Sequence, residues 1–186
     1  MYRQFLLLLI LIWPVVTIAY DTELRLYRPY TLSDKQPRLE IIERVAGECW
    51  LQSQIVVRED AWQCKHAEKI YDPCFINPYA SAFKLICPNS PWSNSAIELT
   101  TRLPLISNSN DSLDMSTHLP WAVELIDKTT CKAVEQSASP QKKDVLYSCD
   151  DGSVLTGHLQ RCSANWKILQ SKEDTLSVVG IRQAWF

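Results

Sequence analysis

The chain has 186 residues and a formal net charge of −2, a balance that excludes the basic footprint of a nucleic-acid-binding domain and leaves no electrostatic drive toward an anionic membrane surface. Seven tryptophans stand against four glycines. That ratio argues against a loop-only knotted scaffold and supplies large apolar area for a packed core.

The N-terminus reads MYRQFLLLLILIWPVVTIAYD. Arg3 is positive, Phe5 to Trp13 is an unbroken apolar run, Pro14 breaks it, and Thr17 and Ala19 place small residues where a signal peptidase reads. The run is shorter than the ~20 residues of a spanning helix, and no later stretch is apolar enough to cross a bilayer. A cleaved signal peptide over residues 1–19 is therefore expected. The product would be a secreted or periplasmic protein with no stable membrane anchor after cleavage. An extended N-terminal arm over 20–38, polar and marked by Pro29 and Pro37, would lead into a single domain over 39–186.

RLEIIERVAGECWLQS, from residue 38, gives mixed signals. Leu39 and Ile41 alternate before Gly47 interrupts, so strand is favoured over a short helix. EKIYDPCFI and AFKLICP are short apolar runs bounded by proline and asparagine, as strands between turns are. SAIELTTRLPL puts Ile97, Leu99 and Thr101 on one face. ISNSNDSLDMSTHLP, residues 106–120, has loop chemistry and carries a glycosylation sequon at Asn110, of use only in a eukaryotic secretory pathway. A meander follows: WAVELID, TTCKAV, VLYSC, a DDGS turn suited to positive φ, VLTGHL, NWKILQS and LSVVGIRQAWF. The expected class is mainly β, a small sandwich or barrel-like meander stabilised by disulfides. The alternative is α+β with one short helix in the N-terminal half.

All seven cysteines follow residue 19, and an exported chain meets an oxidising environment in which thiols pair. In DAWQCKHAEKIYDPCF, Cys64 and Cys74 are too far apart for the close cysteine pairs of a zinc site. No metal or other cofactor is expected. Val145, Tyr147 and Cys149 alternate as strand residues, and a hairpin centred near Pro140 sets Cys131 opposite Cys149. Cys74 and Cys87 bracket a turn at Asn77-Pro78. Cys49 and Cys64 then pair by elimination. Cys162 is left over: a partly buried free thiol, a thiol carrying a bound small thiol, or the bridge of a disulfide-linked dimer. A nucleophilic role with His158 is disfavoured, because nucleophile and base normally come from distant segments.

GECW at 47–50, DAWQC at 60–64, DPCF at 72–75, CPNSPW at 87–92, PWAVEL at 120–125 and the terminal AW form a pattern. It resembles uncharacterised secreted or surface-exposed bacterial proteins with six cysteines in this order, over residues 47–186. The resemblance implies export and three bridges plus one odd thiol. It implies no activity.

Three constellations carry candidate chemistry. Asp150, Asp151, Ser153 and His158 list the residue types of a hydrolytic triad, but within nine residues, where a triad needs separate segments. Arg58, Glu59, Asp60 and Asp72 offer carboxylates for acid–base work. Six tryptophans (Trp50, Trp62, Trp92, Trp121, Trp166 and Trp185) either pack as core or present an aromatic face, with Trp50, Trp62 and Trp92 as the candidate ligand surface. Phosphate-loop, dinucleotide, zincin and nucleophile-elbow motifs are missing from the sequence. The expected function is non-enzymatic binding of an extracytoplasmic protein or glycan. The alternatives are a secreted hydrolase with a carboxylate or Asp/His site, and a structural envelope component.

Overall fold

A computed structural model describes residues 20–30, 39–77, 83–102, 112–134 and 145–186. Among them all regular structure is strand, and the fold is mainly β with three disulfides. The strands are β1 (Glu23–Arg25), β2 (Glu40–Ala46), β3 (Glu48–Gln52), β4 (Ala61–His66), β5 (Lys69–Ile76), β6 (Lys84–Pro88) and β7 (Ser95–Thr100). They continue with β8 (Ala122–Leu125), β9 (Thr130–Ala133), β10 (Val145–Cys149), β11 (Val154–Gln160), β12 (Lys167–Lys172) and β13 (Thr175–Trp185). In the stretch that left a helix open, Glu40–Ala46 is β2 and Glu48–Gln52 is β3. The β-branched Ile41, Ile42 and Val45 suit a pleated surface better than a helix. The signal segment, the Pro140 turn, Pro78 and the sequon residue Asn110 lie outside the described residues.

Strands β8 to β13 form an antiparallel meander, and β13 also pairs with β8, which closes a six-strand barrel. Closure works because β13, at 11 residues, is long enough to serve both neighbours. Its half from Thr175 to Gly180 pairs with β12, and its half from Ile181 to Trp185 pairs with β8. β1 adds to that second half in parallel. The polar arm is thus tied down where it is described. Thr22 N–H donates to Ala164 O at 2.9 Å, and Tyr27 N–H to Phe186 O at 2.8 Å.

The other sheet has the order β2-β7-β6-β5-β4-β3. Its two outer strands are one chain run interrupted only at Gly47. β2 pairs in parallel with β7, and β3 pairs antiparallel with β4. The sheet must therefore curl until its edges approach at that glycine. Gly47 N–H donates to Thr100 O at 3.0 Å. A Cβ there would sit 2.5 Å from Lys65 O and 2.8 Å from Leu99 Cδ1. Gly180 occupies the equivalent corner of β13, where a Cβ would collide with Ile126.

Each unit has its own core. Val123, Leu125, Tyr147, Leu155, Ile168 and Ile181 fill the barrel, and the Tyr147 hydroxyl donates to Pro120 O at 2.8 Å. Trp62, Leu85 and Leu99 pack with the cysteines in the curled sheet. Burying each such side chain stabilises by about 1.5–3 kcal/mol. The bridges are Cys49–Cys64, Cys74–Cys87 and Cys131–Cys149, each joining neighbouring strands. Closing loops of 15, 13 and 18 residues contributes about 3 kcal/mol apiece by restricting the unfolded chain.

Candidate functional site: the seam between sheet and barrel

A third cluster joins the two units. Val56, Ala61 and Phe75 come from the sheet, Trp121, Ala122 and Trp185 from the barrel, and Tyr27 from the arm. Tyr27 lies 5.4 Å from both Phe75 and Trp121, ring centre to ring centre. Arg58, 4% exposed, fastens the three pieces. Its Nε and Nη2 donate to the Asp60 carboxylate at 2.8 and 2.5 Å. Its Nη1 donates to the main-chain oxygens of Tyr27 and Phe186 at 2.6 and 3.0 Å. The guanidinium stands 5.0 Å from the Phe75 ring centre.

A cleft of about 430 Å³ opens on each of two stretches of this seam. The first is walled by Ile42, Ile70 and Asp72 of the sheet and by Trp121 and Lys132 of the barrel. Asp72 is fully engaged there. It accepts a short hydrogen bond from Ser53 Oγ, one from Gln54 N–H at 3.0 Å and one from Gln63 Nε2 at 3.4 Å. Lys132 Nζ donates to Asn89 Oδ1 at 2.9 Å, and Lys69 Nζ lies 4.9 Å from the Tyr71 ring centre. The mouth mixes aliphatic and polar groups: Ile42 is 64% and Ile70 54% exposed, with exposed Lys69 and Asn89 beside them. The second cleft is lined by Arg28, Tyr30, Arg58, Glu59, Asp60 and Leu113. Tyr30 donates to Phe75 O at 2.8 Å, and burial pushes its phenol up from the ordinary tyrosine range.

The four candidate acid–base residues thus divide. Arg58, Glu59 and Asp60 line one cleft, with Asp60 held by Arg58, while Asp72 lines the other with its oxygens occupied. Glu59 and Asp60 share the second cleft, where Arg58 takes both oxygens of Asp60. The triad-like set does not assemble. Asp150 accepts Thr130 N–H and Oγ–H at 3.2 and 2.8 Å. Asp151 accepts Ser153 N–H at 3.0 Å, Ser153 Oγ–H at 2.6 Å and Lys172 Nζ at 2.8 Å. Gly152 sits at φ 81°, as the turn requires. His158 is exposed on β11 and takes part in none of these bonds.

The bonds from Lys172 and Ser153 hold the Asp151 carboxyl down to about 2. An unfolded aspartate titrates near 3.9, so the stabilisation is present above about pH 4 and is lost as pH falls toward 2. The pair is exposed, so solvent screening keeps the effect small. Thermal unfolding midpoints taken from pH 6 to pH 2 should fall less steeply below pH 4 in Asp151→Asn than in the wild type. Identical slopes would mean that these bonds do not act on stability.

Trp50, Trp62 and Trp92 do not form one exposed surface. Trp62 is 4% exposed in the sheet core, because four successive residues of β4 are buried. Trp92 is half-buried, 5.4 Å from Trp185 in an edge contact. Trp50 is 40% exposed on β3, where the register shifts between Cys49 and Leu51. The seam itself left no mark in the sequence. A buried arginine among VVREDAW looks like any surface charge until its partners, 31 and 128 residues away, are known.

Cys162 is exposed rather than partly buried. It lies in the bend between β11 and β12. Its neighbour Arg161 is spent on the carbonyls of Met115, Ser116 and His118, at 3.1, 2.8 and 2.6 Å. The guanidinium also stacks 4.9 Å from the Trp166 ring centre. These bonds hold residues 115–118 of the loop-like stretch as a turn around Asp114, which accepts Ser116 N–H at 2.9 Å. Cys162→Ser should change unfolding free energy by no more than ~0.5 kcal/mol, as exposed substitutions do. A larger loss in urea titration would show that the thiol packs.

Among the described residues no group of three or more metal-binding side chains forms, and no helix is long and apolar enough to cross a membrane. Comparisons of the chain with protein-family models, with curated proteins and with solved structures give no match.

Proposed function

We propose that the protein is an extracytoplasmic binding module without catalytic chemistry, and that it takes an extended segment of another protein into the cleft between sheet and barrel. The observation that carries this reading is the state of the cleft's polar groups. Asp72 already accepts three hydrogen bonds, Lys132 is engaged with Asn89, and the exposed part of the lining sets Ile42 and Ile70 beside Lys69 and Asn89. Such a surface offers aliphatic contact and a few fixed dipoles, as peptide grooves do. A glycan would ask for a flat exposed aromatic ring, and the cleft's Trp121 is 2% exposed. Three disulfides are compatible with an oxidising compartment.

The test is a titration of isotope-labelled protein with a pool of unstructured peptides and, separately, with soluble oligosaccharides. Amide shifts confined to Ile42, Lys69–Asp72 and Lys132 on adding peptide are expected. Shifts with oligosaccharide alone, or cleavage of the peptides, would overturn the reading.

A further inference from the structure

The hairpin of β12 and β13 turns at Glu173 and Asp174, both at positive φ (47° and 64°), the turn whose twist matches antiparallel strands. Lys172 and Thr175, which flank it, are register partners and exchange main-chain bonds in a hairpin closed this way. The pairing alternates from there. At the other end Ile181 N–H donates to Trp166 O at 2.9 Å, with the same parity. The main-chain groups of odd-numbered β13 residues therefore point to β12. Those of Leu176, Val178 and Gly180 point to the opposite edge.

On that edge Gly180 O accepts Ile126 N–H at 3.1 Å, and β8 pairs from Ile181 onward. No strand among the described residues pairs there with Leu176 or Val178. Their side chains are 67% and 59% exposed, beside Leu169 on the same face.

Proteins normally blunt such edges with charge, bulges or brevity. β2 carries Glu40, Glu43 and Arg44 and a register shift at Ile41–Glu43. β3 carries Glu48 and a shift at Cys49–Leu51. β1 has three residues, two of them charged. The free β13 edge is short but carries neither charge nor bulge. Thr175 to Ile181 reads TLSVVGI, with no charge and no proline, and it runs against β12 without a bulge.

We propose that this edge is where two copies of the chain associate, β13 pairing antiparallel with β13 of the second copy about a two-fold axis beside Ser177. The occupant follows from the reciprocity of the segment. The axis places Leu176 opposite the partner's Val178 and Val178 opposite the partner's Leu176. Each pair exchanges two main-chain bonds, so the four outward groups of each copy are all satisfied. Leu169, Leu176 and Val178 of both copies then share one face. Thr175 meets Val179, and no like charges are opposed near the axis. An isologous contact of this kind needs one patch complementary to itself. The contact is a single short strand pair, so it falls in the weak class below about 1,200 Å².

The experiment uses the exported chain carrying Cys162→Ser, which removes the covalent route to a dimer. Sedimentation from about 10 μM to 1 mM should show a reversible monomer–dimer equilibrium, as a weak interface predicts. Exchange of the Leu176 and Val178 amides should slow at least tenfold across that range, while Ser177 stays protected throughout by β12. Val178→Lys, at an exposed position, should leave a monomer. Ser177→Cys should form a covalent dimer on mild oxidation, because residues on such an axis face each other as a close non-hydrogen-bonded pair. Monomer at every concentration with no Ser177→Cys cross-link would overturn the proposal. So would a dimer that survives Val178→Lys. Leu176 and Val178 amides already protected in the dilute monomer would overturn it too, since another part of the chain would then cover the edge.

Discussion

Replacing Arg58 by methionine is expected to lower the unfolding free energy by about 2–4 kcal/mol, chiefly from the two buried main-chain oxygens left without a donor, because the Asp60 side chain is 39% exposed and its oxygens can turn to water. Methionine preserves much of the side chain's apolar bulk, so the loss isolates the guanidinium. Three acceptors would lose their donor together: the Asp60 carboxylate and the main-chain oxygens of Tyr27 and Phe186. Each buried acceptor left bare costs on the order of 1–3 kcal/mol. Arg58→Lys should recover only part, because an ammonium supplies neither the planar fork nor the stack on Phe75. The effect should also be local in origin. Tyr27 anchors the arm and Phe186 ends the β13 ladder, so arm and seam should exchange amide hydrogens faster in Arg58→Met while the barrel interior around Tyr147 stays protected. Urea unfolding measures the size and hydrogen exchange measures the place. A change below about 1 kcal/mol would show that the two units hold together through the aromatic cluster alone.

The parts of this fold that were legible are the local ones. Val145, Tyr147 and Cys149 alternate, and their burial follows that period, whereas on β12 the structure buries polar Gln170 and turns Leu169 outward. Asp-Gly at 151–152 announces its own turn. Such signals need only neighbours in sequence, so the meander could be read in order. What could not be read depends on distant partners. The parallel pairings of β1 with β13 and of β2 with β7, and the β13–β8 contact that closes the barrel, leave no period in the chain. Cysteine positions were informative because a cross-strand bridge needs opposed residues, and Cys131 and Cys149 are register partners. Tryptophan positions were not. Trp50 and Trp62 both neighbour bridged cysteines, yet a register shift turns one outward and four successive buried residues enclose the other. The candidate site is the least legible feature. It lies between two units that each fold on their own core, and its key residue is a charge that composition assigns to solvent.

Gly47→Val is expected to be the other large loss, about 3 kcal/mol and at or above the top of the usual overpacking range. The reason is space rather than backbone freedom. A Cβ at 47 falls 2.5 Å from the main-chain oxygen of Lys65, and a strand carbonyl cannot swing aside as a side-chain tip can. On the other side it meets Leu99, which is fully buried and has nowhere to move. The chain would have to lift away from β4 or β7 at the point where it passes from one to the other. Lifting breaks the Gly47–Thr100 hydrogen bond and pulls on Cys49, two residues along, which is bridged to Cys64. Alanine already carries the colliding atom, so Gly47→Ala should cost nearly as much as valine. Gly152 provides the contrast. Nothing lies within 4 Å of a Cβ there, but φ is 81°, so alanine should cost only the ~1–2 kcal/mol of a left-handed backbone. If the bend is what shapes the sheet, Gly47→Ala should also alter the amide shifts of Ile42 on the cleft wall, and Gly152→Ala should leave them unchanged. Urea midpoints for the two alanine variants decide the matter, and a Gly47→Ala protein as stable as the wild type would mean that the two edges of the sheet do not meet at this residue.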